Sequence, residues 1–325
     1  MRFLGIDTSN YMTSAAVYDS ETDTARSITT PLPVKRGELG LRQSDALFNH
    51  VKRLPDVLKE LDLSAVRGIG VSDKPRPAEG SYMPCFLAGV SAAETLAHAL
   101  NVPLHRFSHQ EGHIAAAAWS AGRLELLNGE FYAWHLSGGT TEFVKWSPNI
   151  DISNIAPCRG GYQPPAGDQW SPLHEKPRHL THIEIITATK DISAGQLIDR
   201  AGLLLGLPFP AGDALDKLAI KHDRIIPVKV TSPNLSGFEN KVQALIAAGE
   251  KPENIAYFVM NAIIQFVINN TPDGVPLLFA GGVARSQVLR ENLPLRLNNI
   301  YFAAPEYSGD NAAGVAYLAF RKANK

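Results

Sequence analysis

FYAWHLSGGTTEFVKW, Phe131 to Trp146, is the stretch whose reading decides the fold. An apolar run, a turn of Ser, Gly and Thr, and a second strand-like run predict a β-hairpin. The chain opens with the same figure. RFLGIDTS (Arg2–Ser9) reads as a buried strand and TSAAVYD (Thr13–Asp19) as its partner after a short polar turn. The letters differ, but the order of strand, polar turn and strand repeats. Two unrelated hairpins would give this local pattern too. A duplicated architecture adds a reason for the turns, because their N–H and hydroxyl groups suit phosphate binding.

Working outward, DALFNHVKRLPDVLKEL (Asp45–Leu61) has helical spacing and RGIGVSD (Arg67–Asp73) is a short strand. CFLAGVSAAETLAHAL (Cys85–Leu100) is a helix of small residues suited to close packing on a sheet. After the second hairpin, proline-rich Tyr162–Pro177 is expected to be a surface excursion. Two helices, SAGQLIDRAGLLLGL and PAGDALDKLAIKH, are divided at Pro208-Phe209-Pro210. PENIAYFVMNAIIQFVINN (Pro252–Asn270) is a buried helix. Val275–Leu293 reads as strand, glycine turn and helix, and NIYFAAPEYSGDNAAGVAYLAF as strand, loop and C-terminal helix. This alternation predicts an α/β protein, with residues 1–125 plus 305–325 as one lobe and 126–304 as the other.

The 325 residues carry 31 Lys+Arg against 32 Asp+Glu, so no broad electrostatic footprint for nucleic acid is present. Cys85 and Cys158 are too few for a disulfide framework and fit a reducing compartment. The first 20 residues have no signal-peptide pattern, and no apolar run reaches the roughly 20 residues of a membrane span. A cytoplasmic protein without membrane attachment is expected.

SHQEGHIAAAAW (Ser108–Trp119) places His109 and His113 four residues apart on a helix, the spacing of a metal pair. Its glutamate, Glu111, is the third residue, whereas a zinc protease keeps its base second, as in H-E-x-x-H. At about 100° per residue, Glu111 points away from the place such a base must occupy. His105 is expected to be structural, and His50, His98, His135, His174, His179, His182 and His222 show no spacing that implies a shared site. Asp310 has the residue type of a helix N-cap.

Six stretches in order, GIDTS…TSAAV, SHQEGH, LSGGTTEF, AGQLIDRAGLLLGLPFPAGDALDKLA, AGGVARSQVLR and SGDNAAGVA, resemble the TsaD family over nearly the whole chain. The resemblance implies a duplicated, two-lobed actin-like ATPase (ribonuclease H-like) fold with a nucleotide cleft between the lobes. It implies transfer of a threonylcarbamoyl group to adenosine 37 of tRNA. By position, His109, His113 and Asp310 match the family's metal ligands, with iron or zinc as the metal. Leu136, Ser137, Gly138, Gly139 and Thr140 match the phosphate loop, Asp199 and Gly212 the nucleoside positions, and Gly281 and Gly282 the glycines beside the adenine. Asp7 stands where the superfold keeps an aspartate near phosphates and cation, so Asp7 and Ser137 are the expected catalytic residues. ATP or an acyl-adenylate, with Mg, is the implied cofactor. The implied partners are tRNA and TsaB-like or TsaE-like proteins, or a second copy of the chain.

Departures from the family pattern are equally specific. Its C-D-E-T reads Asn10-Tyr11-Met12-Thr13, without the two acids, and its S-G-G-H-T reads Ser137-Gly138-Gly139-Thr140-Thr141. Gln196 and Arg200 replace a glutamate and a lysine, Ser286 replaces an asparagine at a position that the resemblance assigns to cofactor binding, and KPRPAEGSYMPC replaces a glycine-rich stretch. Neither tyrosine nor methionine can serve as a carboxylate base. A divergent enzyme and a non-catalytic nucleotide-binding partner subunit both follow from the resemblance.

Overall fold

The computed structural model describes residues 1–9, 11–33, 41–78, 80–150, 180–309 and 312–324. The expected excursion at Tyr162–Pro177, Cys158, Asn10 and Asp310 fall outside these residues. Both hairpins form. β1 (Arg2–Asp7) pairs antiparallel with β2 (Met12–Asp19), Asp7 opposite Ser14, and β2 with β3 (Thr24–Pro31). β4 (Val66–Lys74) and β5 (Leu104–Ser108) extend the other side in parallel, for the order β3-β2-β1-β4-β5.

The second sheet repeats this arrangement. β6 (Phe131–Leu136) pairs antiparallel with β7 (Thr141–Ile150), and β7 with β8 (Leu180–Ala188). β9 (Leu277–Ala280) and β10 (Ile300–Phe302) follow in parallel, so read from β8 the order is β8-β7-β6-β9-β10. First strand for first strand, the two sheets have one topology. The duplication expected from the two hairpins is therefore a property of whole sheets.

Two helices lie between the sheets. α3 (His109–Ser120) and α10 (Ala312–Ala323) share a core with Phe3 and Tyr18 of the first sheet and Phe131 and Val144 of the second. α1 (Gln43–Lys59) and α2 (Phe86–Leu100) cover the outer face of the first sheet through Leu54, Val57, Ala93 and Ala97. α4 (Ala194–Leu204), α5 (Gly212–Ala219), α6 (Gly237–Ala247) and α7 (Pro252–Asn269) bury Trp134, Leu136 and Phe143 on the outer face of the second. α8 (Gln287–Asn292) and the short α9 (Pro305–Ser308) complete the α-helices among the described residues.

Small residues set the depth of the central layer. A Cβ on Gly5 would lie 2.0 Å from the Ala312 carbonyl oxygen, and one on Gly314 would lie 2.0 Å from that of Gly112. α10 therefore rests on β1 and crosses α3 at backbone contact. This puts the N-termini of both helices at the same end of the molecule, beside the two hairpin turns.

Candidate functional site

α3 begins with a capping box. The Ser108 hydroxyl accepts from the Glu111 amide at 3.2 Å, and the Ser108 amide and hydroxyl donate to Glu111 Oε2 at 2.7 and 2.8 Å. Glu111 is thus committed to holding the helix start, and burial pushes its carboxyl above the usual range. The protease reading fails on structure as it did on spacing.

His109 and His113 lie on one face, with Nε2 atoms 3.1 Å apart. Two imidazoles on one ion at 2.0–2.1 Å would hold those atoms about 3.3 Å apart. Behind His109, Asp7 Oδ2 lies 3.0 Å from Nδ1, which leaves Nε2 directed toward His113. Asp7 is fully buried at the end of β1 and also accepts from the Ser9 amide at 2.8 Å. Burial alone would push its carboxyl up; the His109 imidazole and the Ser9 bond overcome this and hold it below the usual carboxylate range. This is the arrangement in which a carboxylate fixes the tautomer of a metal-binding histidine. His113 is almost fully buried, and its Nδ1 has no hydrogen-bond partner among the described residues. The donor set fits a divalent iron or zinc ion, although the described residues alone do not form a three-ligand cage. The expected third ligand, Asp310, lies outside the described residues.

The second hairpin turn is built as a compact loop. The Ser137 amide donates to the Thr140 carbonyl at 2.8 Å, and the Thr140 amide to Ser137 Oγ at 3.0 Å. α4 starts against it: Ser193 Oγ donates to the Gly138 carbonyl at 2.7 Å, and the Ala194 amide to Thr141 Oγ1 at 2.7 Å. A Cβ on Gly195 would lie 2.5 Å from the Gly138 Cα, so only glycine permits this approach. Gln196, in place of the family glutamate, closes the capping box by accepting from the Ser193 amide at 3.0 Å. Arg200, in place of the lysine, pairs with Glu239 on α6 at 3.0 Å.

A cleft of ≈ 170 Å³ gathers Gly138, Asp199, Gly212, Gly282 and Ser286, five of the residues expected to bind nucleotide. Asp199 accepts from the Ala211 amide at 2.8 Å across the α4–α5 turn, and burial raises its carboxyl. Gly281 has φ +93°, and a Cβ there would meet the Leu136 carbonyl oxygen at 2.3 Å, which ties this turn closely to the loop that begins at Ser137. Ser286 caps α8 by accepting from the Leu289 amide and donates to Asp216 Oδ1 at 2.5 Å. A larger open hollow of ≈ 490 Å³ beside β8 contains none of the expected residues.

Sequence reasoning missed His135. It points from β6 toward α3, and its ring centroid lies 4.7 Å from that of His113. Burial, then the neighbouring His109 and Arg76, depress its pKa to about 3. Directly opposite it on β7, the buried Glu142 accepts from Gln110 Nε2 at 2.8 Å and pairs with Arg76 of the KPRP segment. Tyr11, in place of the first missing acid, has an exposed side chain, and its carbonyl accepts from the Leu32 amide at 2.7 Å.

Two sheets of one topology, two helices between them and a cleft floored by glycine turns define the duplicated, two-lobed fold of the actin-like ATPases. The chain matches the (R)-2-hydroxyglutaryl-CoA dehydratase component A of Acidaminococcus fermentans at 13% identity, covering 100% of both chains with a TM-score of 0.60. It matches the activator of the 2-hydroxyisocaproyl-CoA dehydratase from Clostridium difficile, with bound ADPNP, at 13% identity. That match covers 100% of this chain and 96% of the other, with a TM-score of 0.54. These likenesses concern the fold. In sequence, residues 178–317 match the family model of TsaD, tRNA N6-adenosine threonylcarbamoyltransferase. A tRNA N6-adenosine threonylcarbamoyltransferase of Carboxydothermus hydrogenoformans is 30% identical over 258 residues, 73% of this chain and 67% of that one. The chain belongs to the TsaD family.

Proposed function

We propose that the chain binds ATP or an acyl-adenylate in its cleft and transfers a threonylcarbamoyl or carbamoyl group to an acceptor amine. Family membership favours adenosine 37 of tRNA as that acceptor. The observation that carries the reading is the pair of Nε2 atoms on His109 and His113, 3.1 Å apart, with Asp7 holding His109 from behind. Without an ion the two nitrogens lie at N–H···N hydrogen-bond distance; deprotonated at Nε2, both rings present lone pairs at nearly the separation an ion needs.

His109, His113 and Asp310 hold the divalent ion, iron or zinc. When bound, the ion supplies Lewis-acid polarisation of the adenylate's oxygen atoms. The amides of Ser137 to Thr140 bind the phosphates and offset charge developing there. Asp199 and Gly212 flank the nucleoside, while Gly281, Gly282 and Ser286 border the adenine; Mg accompanies ATP. In the transfer, the acceptor nitrogen bonds to the carbamoyl carbon and the carbon–oxygen bond to the phosphate breaks. AMP leaves with the electron pair, and the amine proton passes to solvent. tRNA and TsaB-like or TsaE-like proteins, or a second copy of the chain, are the proposed partners.

A second reading, a nucleotide-binding partner subunit without catalysis, is favoured by Tyr11 and Met12 where the family keeps its acids. Metal content, ATP binding by calorimetry and transfer to tRNA, measured on wild type, His109→Ala and Asp310→Ala, separate the two. Metal in wild type, its loss in both variants and a parallel loss of transfer support the enzyme. A metal-free wild type that binds ATP as its variants do overturns the enzyme in favour of the partner subunit.

A further inference from the structure

His135 has no part in the site as proposed above. Alternation along β6 sends it to the same side as Phe131 and Ala133, into the core shared with α3 and α10. It is 4% exposed, and neither ring nitrogen has a hydrogen-bond partner among the described residues. The ring it faces, His113, has the same deficit at Nδ1. Three nitrogens without a partner among the described residues thus lie on two neighbouring buried rings. Buried polar groups are satisfied in nearly all proteins, so such a concentration calls for a state in which they are used.

Binding of an ion through His113 Nε2 provides that state. The lone pair on Nε2 is then taken and the proton must sit on Nδ1, which becomes a donor. His109 already shows the matching arrangement, its Nδ1 lying 3.0 Å from Asp7 Oδ2. For His113, the ring at hand is a neutral imidazole with one acceptor nitrogen. Centroids 4.7 Å apart at an interplanar angle of 45° are within reach of an N–H···N bond once the His135 ring turns about χ2, with His113 held by the ion.

We infer that His135 is the positioning residue of His113, accepting its Nδ1–H when the metal pair is loaded, as Asp7 does for His109. This rests on the reading of His109 and His113 as metal ligands. One ligand is then oriented from the first sheet through β1 and the other from the second through β6. The pair is fully aligned only when both sheets are in place around α3.

The test uses the full chain, Zn²⁺ affinity by chelator competition and the visible spectrum of the Co²⁺ form. His135→Phe keeps an aromatic ring and removes the acceptor, whereas His135→Gln supplies an amide oxygen. The expected result is Zn²⁺ binding weakened about 10- to 100-fold in the Phe variant with an altered Co²⁺ band, and most of both restored by Gln. Circular dichroism of the metal-free variants checks that both fold. Wild-type affinity and spectrum in folded His135→Phe overturn this inference alone, as does equal loss in folded Phe and Gln variants. Failure of wild type to bind Zn²⁺ or Co²⁺ overturns the metal reading itself.

Discussion

The Arg76 guanidinium pairs with the buried carboxylate of Glu142, whose second oxygen accepts from Gln110 Nε2 at 2.8 Å. Arg76 follows β4 of the first sheet, Gln110 lies in the first turn of the central helix and Glu142 lies on β7 of the second sheet. The charged KPRP segment that replaces the family's glycine-rich stretch therefore has a structural use: it ties the two sheets together beside the histidines. Arg76→Ala leaves the Glu142 charge buried with one neutral donor. A loss of about 1–3 kcal/mol is expected in urea unfolding, and Glu142→Gln combined with Arg76→Ala should recover part of it. An additive double variant would show that the pair carries no coupling.

Gly314→Ala tests the backbone contact between the two central helices. The added methyl would lie 2.0 Å from the Gly112 carbonyl oxygen and 2.6 Å from the Ala116 amide nitrogen. Neither atom can swing aside as a flexible side chain would, so α10 must shift. The expected cost is about 3 kcal/mol, the upper end for overpacked cores, read as a lowered denaturation midpoint with the slope unchanged. Gly237→Ala, at a site with open space around it, serves as the control.

Acid stability should report His50. This fully buried imidazole bonds to Thr13 Oγ1 at 2.8 Å, and burial depresses its pKa to about 4 against an ordinary 6.5. The folded state thus resists protonation while the unfolded chain accepts it. The contribution of neutral His50 is present above pH 6.5 and is lost as pH falls from 6.5 toward 4. Stability measured across that window should fall more steeply for wild type than for His50→Gln. Parallel pH profiles would remove His50 from the account.

Asp216 lines the cleft but is already committed there, because its carboxylate accepts from Ser286 Oγ at 2.5 Å and the Gln287 amide at 2.8 Å. Asp216→Ala removes the acceptor that holds the start of α8. A loss of about 1–2 kcal/mol is expected, typical of a removed helix cap. Calorimetry with ATP should show weaker binding in the same variant, since Ser286 is no longer anchored at the cleft edge. Unchanged affinity would separate the cap from the site.

Much of this molecule is legible in one dimension. The hairpins at Arg2–Asp19 and Phe131–Trp146, the helices α1, α2, α4, α5 and α7, and the strand–turn–helix around Gly281 all follow from apolar periodicity and turn residues. β3, β8 and α6 were not foreseen. TARSITTP is half-exposed and rich in Thr and Ser, so its alternation is faint. LTHIEIITA carries β-branched residues that could have revealed β8, but it follows the long proline-rich stretch without a clear boundary. In the site, the four-residue spacing of His109 and His113 was enough to align them, because one helix turn is local geometry.

By itself, the sequence determined the duplicated hairpins, the four-residue spacing of His109 and His113 on one helix, and the family, since each rests on short-range pattern or ordered motifs. Only the tertiary structure decided that Asp7, 102 residues before His109, stands behind it. It likewise decided that Glu111 is spent on a helix cap and that His135 faces His113. The physical reason lies in the central layer. Gly5 and Gly314 let α10 sink onto β1 and α3, and that depth brings the ends of β1, α3 and β6 to one place. Such convergence depends on how closely backbones pack across the two sheets, a quantity that no local spacing encodes.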